Sequence, residues 1–114
     1  MTIRPVARRL VPREIVDLAW PHFDQGSHRA ILRLHRGADP ETLAAAGANL
    51  KELRAPALIA WGERDPYYPA RLADDYAAAL GGEADIVRLP DAGHWPWLEH
   101  PELIETVGEF LRTR

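Results

Sequence analysis

The spacing of apolar residues along the chain changes near residue 50. Before that point apolar positions recur at helical spacing between helix breakers, and this pattern predicts three short helices. The first begins after Pro12 and ends near Trp20-Pro21. The second has Ser27 as its N-cap and Gly37 as its stop. The third opens with Asp39-Pro40-Glu41, where the aspartate caps the first turn and the proline occupies the first helical position.

After residue 50 the pattern becomes that of alternating strands and helices. A continuous apolar run at 56–61 is typical of a strand buried on both faces of a parallel sheet. A helix is predicted from Pro69, a more mixed strand at 86–89, and a last helix from Pro101. Its apolar face would hold Leu103, Ile104, Val107, Phe110 and Leu111. The order strand, helix, strand, helix predicts an α/β fold with two parallel strands and a right-handed crossover.

Length and composition narrow the classes of protein. With 114 residues the chain is one domain or part of one, and its 46% apolar and 27% charged residues are those of an ordinary soluble globular protein. The net charge of −3 gives no electrostatic footprint for nucleic acid. Because cysteine is absent, disulfides and thiolate metal sites are excluded. Residues 1–18 have the pattern of neither a secretory signal nor a membrane span, so a cytoplasmic location is expected.

Two side chains with catalytic potential follow the two strands. Asp65 lies four residues past the first strand, and His94 lies about five past the second. Neighbouring parallel strands, roughly 4.8 Å apart, end at the same edge of a sheet, so we expect both loops to emerge together. A carboxylate there can accept the imidazole Nδ1–H, which leaves Nε2 as a general base toward a nucleophile or water. Gly62 and Gly93 would allow sharp turns before these residues.

Asp65 and His94 each lie in a distinctive motif. The motifs are Gly62-Glu63-Arg64-Asp65-Pro66 and, about thirty residues later, Gly93-His94-Trp95-Pro96-Trp97-Leu98-Glu99-His100-Pro101-Glu102. Together they resemble the closing half of an α/β-hydrolase. In that family the order along the chain is nucleophile, acid, histidine. The resemblance implies that Asp65 is the acid and His94 the histidine of a hydrolytic triad that needs no cofactor or metal. It also implies a cap-like helical segment at 1–50 and a C-terminal core segment at 51–114.

The nucleophile of that family is missing from this sequence. The family presents it on a G-x-S-x-G elbow between a strand and a helix, or on an aspartate variant of that elbow. The one serine, Ser27, lacks the second glycine and follows no apolar strand, and Asp17, Asp24 and Asp39 fit no better. The family's oxyanion donors are missing with their strands. Ser27 is therefore interpreted as a helix cap.

Other histidines and aromatic residues have more than one interpretation. Trp95 and Trp97 could line a substrate pocket beside His94, or could pack between loop and helix. His28 and His35 are seven residues apart without a third ligand at matching spacing, so exposed surface is the better interpretation than a metal site. His100 stands where the last helix would be N-capped, and Tyr67 and Tyr68 are expected to open the helix after Asp65.

Two functional hypotheses follow. The first is the acid and histidine portion of a hydrolase for a small ester, epoxide or related substrate, inactive alone and completed by a nucleophile-bearing half. The second is a non-catalytic truncated relic or association module. In either case a two-stranded sheet would leave the strand at 56–61 with an unpaired edge. The chain could pair through that edge with a second copy, could dock on a complementing chain, or could be the marginal product of a truncated gene. Neither nucleic acid nor a membrane is expected as a partner.

Overall fold

A computed structural model of the protein describes residues 11–114. The chain divides into two compact units, Met1–Asn49 and Leu50–Arg114. The prediction that the N-terminal segment is neither a signal nor a membrane span falls largely on residues 1–10, which lie outside the described residues. Within residues 11–114, no helix combines the length and the apolar character that crossing a bilayer requires.

The described part of the first unit is helical. Helix α1 (Arg13–Ala19) starts directly after Pro12 and continues into a 3₁₀ turn at Trp20–His22. Helices α2 (Gln25–Gly37) and α3 (Pro40–Gly47) follow. The Asp39 carboxylate caps α3 as predicted, with Oδ1 accepting the Thr42 N–H at 2.8 Å. All three helices predicted from the sequence before residue 50 are present.

The predicted N-cap of α2 is wrong. Ser27 lies inside the first turn, and Asp24 is the cap: its backbone is extended, and its Oδ1 accepts the Ser27 N–H at 2.8 Å. The Ser27 hydroxyl instead donates to the carbonyl oxygen of His22 at 3.2 Å. Both residue types cap helices well, but a cap must leave the helical backbone conformation while reaching the N–H two or three residues on. Here Asp24 meets that condition.

The second unit has the predicted strand and helix order. Its elements are a 3₁₀ turn (Leu50–Glu52), β1 (Ala57–Gly62), α4 (Leu72–Ala79), β2 (Ala84–Leu89), α5 (Pro96–Glu99) and α6 (Leu103–Thr113). The strands pair in parallel, in register from Ala57 with Ala84 to Gly62 with Leu89. Helix α4 packs against both strands, and α5 packs against β1. This βαβα arrangement, with short helices before it, is the α/β fold with two parallel strands that the sequence predicted.

Several details differ from the sequence prediction. Strand β1 is half-buried along residues 57–61 instead of buried on both faces, since the described sheet has only two strands. Helix α4 begins at Leu72, because Pro69 opens a turn in which its carbonyl accepts the Leu72 N–H. Helix α6 likewise begins at Leu103, two residues after Pro101. The short helix α5 was not predicted.

Most of the buried residues of the second unit are small, Leu103 being the exception. Ala73 and Ala92 have no exposed surface and Leu103 is almost fully covered. Gly62, Gly93 and Pro96 are also buried. Small side chains let the loops after β1 and β2 approach each other closely, and this approach creates the candidate site.

Candidate active site

Main-chain hydrogen bonds join the two loops that follow the strands. The N–H of Glu63 donates to the carbonyl of Leu89 at 2.9 Å, and the N–H of Arg64 donates to the carbonyl of Ala92 at 2.9 Å. These bonds continue the β1–β2 pairing beyond the end of the sheet. The loop with Asp65 is therefore held beside the loop with His94 before any side chain is considered.

The role of the glycines differs from the one predicted. No glycine among the described residues has a positive φ, so neither Gly62 nor Gly93 supplies a left-handed turn. Gly62 is required because its α-carbon lies against the main chain of Ala92 and Gly93, where a side chain has no room. Close packing of backbone on backbone is the physical reason for glycine at this position.

The structure brings Asp65 and His94 together. Nδ1 of His94 lies 2.7 Å from Oδ2 of Asp65. The Asp65 side chain is 8% exposed and that of His94 is 31% exposed, so the carboxylate is shielded while the imidazole remains accessible. The second carboxylate oxygen, Oδ1, accepts the backbone N–H groups of Tyr67 at 2.8 Å and Tyr68 at 3.1 Å. Both oxygens of Asp65 are thus used, and its orientation is fixed.

The electrostatics favour an ionised carboxylate. Partial burial by itself raises the pKa of Asp65, but hydrogen bonds from His94 and from the N–H groups of Tyr67 and Tyr68 outweigh it and hold the pKa below its ordinary value. An ionised carboxylate can only accept, so the proton of the His94–Asp65 hydrogen bond resides on Nδ1. In the neutral ring Nε2 then carries the lone pair, which is the tautomer that a general base requires.

Three aromatic rings surround the imidazole of His94. Tyr67 and Trp95 meet it edge-on, with ring centroids at 5.0 Å and 4.8 Å, and Tyr68 lies at 5.7 Å. Tyr67 and Tyr68 were predicted to open α4, but they precede it and serve the site. Their backbones orient Asp65 while their rings restrict the rotation of His94. No pattern in the sequence indicates this double role.

An open depression of about 140 Å³ adjoins the pair. It is lined by Ala60, Trp61, Gly62, Asp65, Tyr68, Gly93, His94, Pro96 and Trp97. Trp97 therefore lines the depression, as one interpretation of the sequence expected. Trp95 is not one of the lining residues and packs against His94 and Tyr67. The depression is mainly apolar, with the Asp65–His94 pair as its ionisable element.

Contacts from α5 and the start of α6 hold the His94 loop. The Glu99 carboxylate accepts the buried Gly93 N–H at 2.9 Å, immediately before His94. His100 was predicted to N-cap the last helix, and this is wrong. It is the C-cap of α5, Glu102 occupies the position before α6, and the His100 ring contacts Asp91. These contacts join residues six and nine positions apart across an unpredicted helix, so no local pattern identified them.

No cluster of three or more potential metal-ligating side chains occurs within residues 11–114. His28, considered above with His35, directs its Nδ1 to the carbonyl oxygen of Asp24 at 2.6 Å. That contact places His28 in the first turn of α2, beside the Asp24 cap.

Comparison with known proteins agrees with the geometry. A relative from Bacillus subtilis (strain 168), described as the uncharacterized hydrolase YugF, is 30% identical over 109 residues, which are 92% of this chain and 38% of the relative. A crystal structure described as a predicted CIB-like hydrolase from Thermoplasma acidophilum is 29% identical with a TM-score of 0.50. That match covers 61% of this chain and 34% of the other. The chain thus spans little more than a third of the length of these relatives.

The family model of the alpha/beta hydrolase family matches residues 2–107. That range includes both strands, the loops at their ends and the contact between Asp65 and His94. Since the match extends over most of the sequence, this chain belongs to the alpha/beta hydrolase family.

Proposed function

We propose that Asp65 and His94 are the acid and the general base of a nucleophile–histidine–acid triad. The reaction would be hydrolysis of a small ester, epoxide or related substrate, with the nucleophile supplied from outside these 114 residues. The observation that carries the proposal is the 2.7 Å contact between Nδ1 of His94 and Oδ2 of Asp65. It is supported by the lowered pKa of Asp65, the exposure of the imidazole and the adjoining depression.

The chemistry assigned to each residue follows from this geometry. His94, with its proton on Nδ1, takes the proton of an attacking hydroxyl or water at Nε2 and becomes an imidazolium. Asp65 stabilises that cation and keeps the ring in the productive tautomer. Trp97 and Tyr68 line the apolar surface against which a substrate would lie. An aspartate nucleophile would need the same pair to activate water in the second step.

The chain alone is expected to be a poor catalyst. The sequence has no nucleophile elbow and no oxyanion loop of the family type. Each missing oxyanion donor commonly costs about 10²–10³ in rate, so water activated by Asp65 and His94 would react very slowly. The proposed complement is a polypeptide that carries these two features. It would pair with the edge of β1, the strand predicted at 56–61, that no strand within residues 11–114 covers.

The test mixes the chain with a separately expressed nucleophile-bearing segment of a relative and measures hydrolysis of a chromogenic ester. Turnover that requires both components and disappears with His94→Ala is the expected result. His35→Ala, a histidine on α2, is the matched control and should leave the rate unchanged. A stable complex without His94-dependent turnover would contradict the proposal and favour the alternative, a non-catalytic association module. That alternative is favoured by the missing elbow.

A further inference from the structure

His100 lies at the junction of α5 and α6, and each of its ring nitrogens faces a carboxylate. Nε2 is 3.0 Å from Oδ1 of Asp91, and Nδ1 is 2.9 Å from Oε1 of Glu102. Asp91 belongs to the loop after β2 that carries His94, whereas Glu102 immediately precedes α6. The ring of His100 therefore connects the loop of the candidate site to the start of the last helix.

The chemistry of imidazole determines which protonation state suits this position. A neutral ring donates from one nitrogen and accepts at the other, whereas an ionised carboxylate only accepts. A neutral His100 would therefore set one nitrogen lone pair against a carboxylate oxygen. The imidazolium donates to both carboxylates. We propose that protonated His100 is a positioning residue that locks the His94 loop to α6 and releases it on losing its proton.

The charges around the ring support this assignment. The hydrogen bond with Glu102 raises the pKa of His100, partial burial opposes it, and the negative charges of Asp91 and Glu102 add to the rise. Within residues 11–114, these are the two charged groups that face the ring, one from the loop after β2 and one from the start of α6. A raised pKa means that the lock is complete below the ordinary value of 6.5 and is lost as the pH rises through the raised value.

The remaining ties of the loop do not depend on His100. The Ala92 carbonyl accepts the Arg64 N–H, and the Gly93 N–H donates to Glu99. Deprotonation of His100 therefore loosens the Asp91 end of the loop, three residues before His94. The other hydrogen bonds of the loop remain in place. The Asp91 side chain is 61% exposed, so screening by solvent keeps the effect modest. The expected consequence is a change in the orientation of His94 and not unfolding.

The test is an NMR titration of the ¹⁵N-labelled full chain between about pH 5 and pH 9, the range in which histidine charge changes. It follows the ring nitrogens of His100 and the amides of residues 91–94. We expect both His100 nitrogens to be protonated at low pH, a midpoint above 6.5, and loop amides that shift with that midpoint. A His100 midpoint at the ordinary value of 6.5 would overturn the proposal, and so would loop amides that do not follow the His100 midpoint. This measurement needs no substitution.

Two variants identify the part of the loop response that follows His100. His100→Gln should abolish the part of the loop response that follows His100. Asp91→Asn removes one facing negative charge and should lower the His100 midpoint. Asp75→Asn is the matched control, an exposed acid on α4 paired with Arg71, and should leave the midpoint unchanged. Loop amides that still follow the same midpoint in His100→Gln would also overturn the proposal.

The catalytic consequence rests on the proposed function. In a complemented enzyme the rate should fall at alkaline pH with the midpoint of His100, and His100→Gln should remove that limb of the pH profile. If the loop amides follow the protonation of His100 but the complemented enzyme is inactive, only the proposed triad is contradicted. If turnover depends on His94 but the loop amides do not respond to His100, only the proposed role of His100 is contradicted.

Discussion

The carbonyl oxygen of Gly93 lies so close to the α-carbon of Gly62 that it would clash with a Cβ at that position. The carbonyl oxygen of Ala92 would be 2.6 Å from the same Cβ. Both atoms belong to the main chain, which cannot rotate aside as a flexible side chain can. This contact holds the end of β1 against the loop that carries His94. Asp65, three residues after Gly62, can therefore reach the imidazole of His94.

Gly62→Ala should therefore destabilise the fold. Overpacking of this kind typically costs about 1–3 kcal/mol in the free energy of unfolding, because the loop after β2 must move away from β1. Urea unfolding followed by tryptophan fluorescence measures the change. Gly108→Ala on α6 is the control, since its Cβ would be 3.5 Å from Arg112 Nη1, an ordinary contact. That variant should gain about 0.5–1 kcal/mol, and equal effects at the two positions would contradict the close packing at Gly62.

Asp65→Asn should change the tautomer of His94. The asparagine oxygen can still accept the N–H groups of Tyr67 and Tyr68, which leaves its NH₂ group facing Nδ1 of His94. The imidazole proton then moves to Nε2, and the ring can no longer act as a base there. Ring ¹⁵N shifts should report the exchange directly, and an unchanged tautomer would contradict the assigned hydrogen bond. In a complemented enzyme the rate should fall about 10⁴-fold, by analogy with a serine-protease triad.

Stability in acid should depend on Asp65. Its pKa is lower in the folded chain, so its contribution is present above the ordinary value of 3.8 and is lost as the pH falls through the lowered folded value. The free energy of unfolding should therefore decline below about pH 4, and less steeply in Asp65→Asn. Urea midpoints between pH 6 and pH 2 test this. Glu109→Gln, an exposed acid on α6, serves as control, and a slope unchanged by Asp65→Asn would contradict the prediction.

The carboxylate oxygen of Glu99 should stabilise the loop that carries His94, because it accepts the Gly93 N–H. Glu99→Ala leaves the buried Gly93 N–H without the acceptor seen here, which should cost about 1–3 kcal/mol and speed hydrogen exchange at Gly93. Glu99→Gln retains a carbonyl acceptor and should recover much of the protection. Amide exchange measured at Gly93 distinguishes the two variants. Equal protection in both would show that the carboxylate does not hold the loop.

The cap of α2 offers a test away from the site. Asp24→Ala should destabilise the helix by about 1 kcal/mol, because the Ser27 N–H loses its acceptor. Ser27→Ala removes the hydroxyl contacts to His22 and Asp24 but keeps the capped backbone N–H, and should cost less. Circular dichroism during thermal unfolding compares the two. A larger loss for Ser27→Ala would favour the original prediction that serine is the cap.

Local sequence patterns determined the elements and the family. The apolar run at 57–61 can be satisfied only in a buried or half-buried strand, and Asp39-Pro40-Glu41 encodes a helix start within three residues. The placement of Asp65 and His94 after neighbouring parallel strands predicted their approach, since parallel strands end together. Their catalytic roles stay a proposal, as does the cap-like nature of the first unit. Helix starts were less certain, because Pro69 and Pro101 open turns before the helices begin.

Tertiary structure decided what holds the pair in place. The Gly62–Gly93 contact, the Glu99 acceptor and the His100 bridge each depend on segments brought together by β1–β2 pairing and by the short helix α5. Such contacts follow no fixed spacing along the chain, because they depend on where loops cross in space. The sequence by itself determined that an acid and a histidine follow adjacent strands. Only packing of the loops decided the tautomer, the shielding and the neighbours that make the two residues a pair.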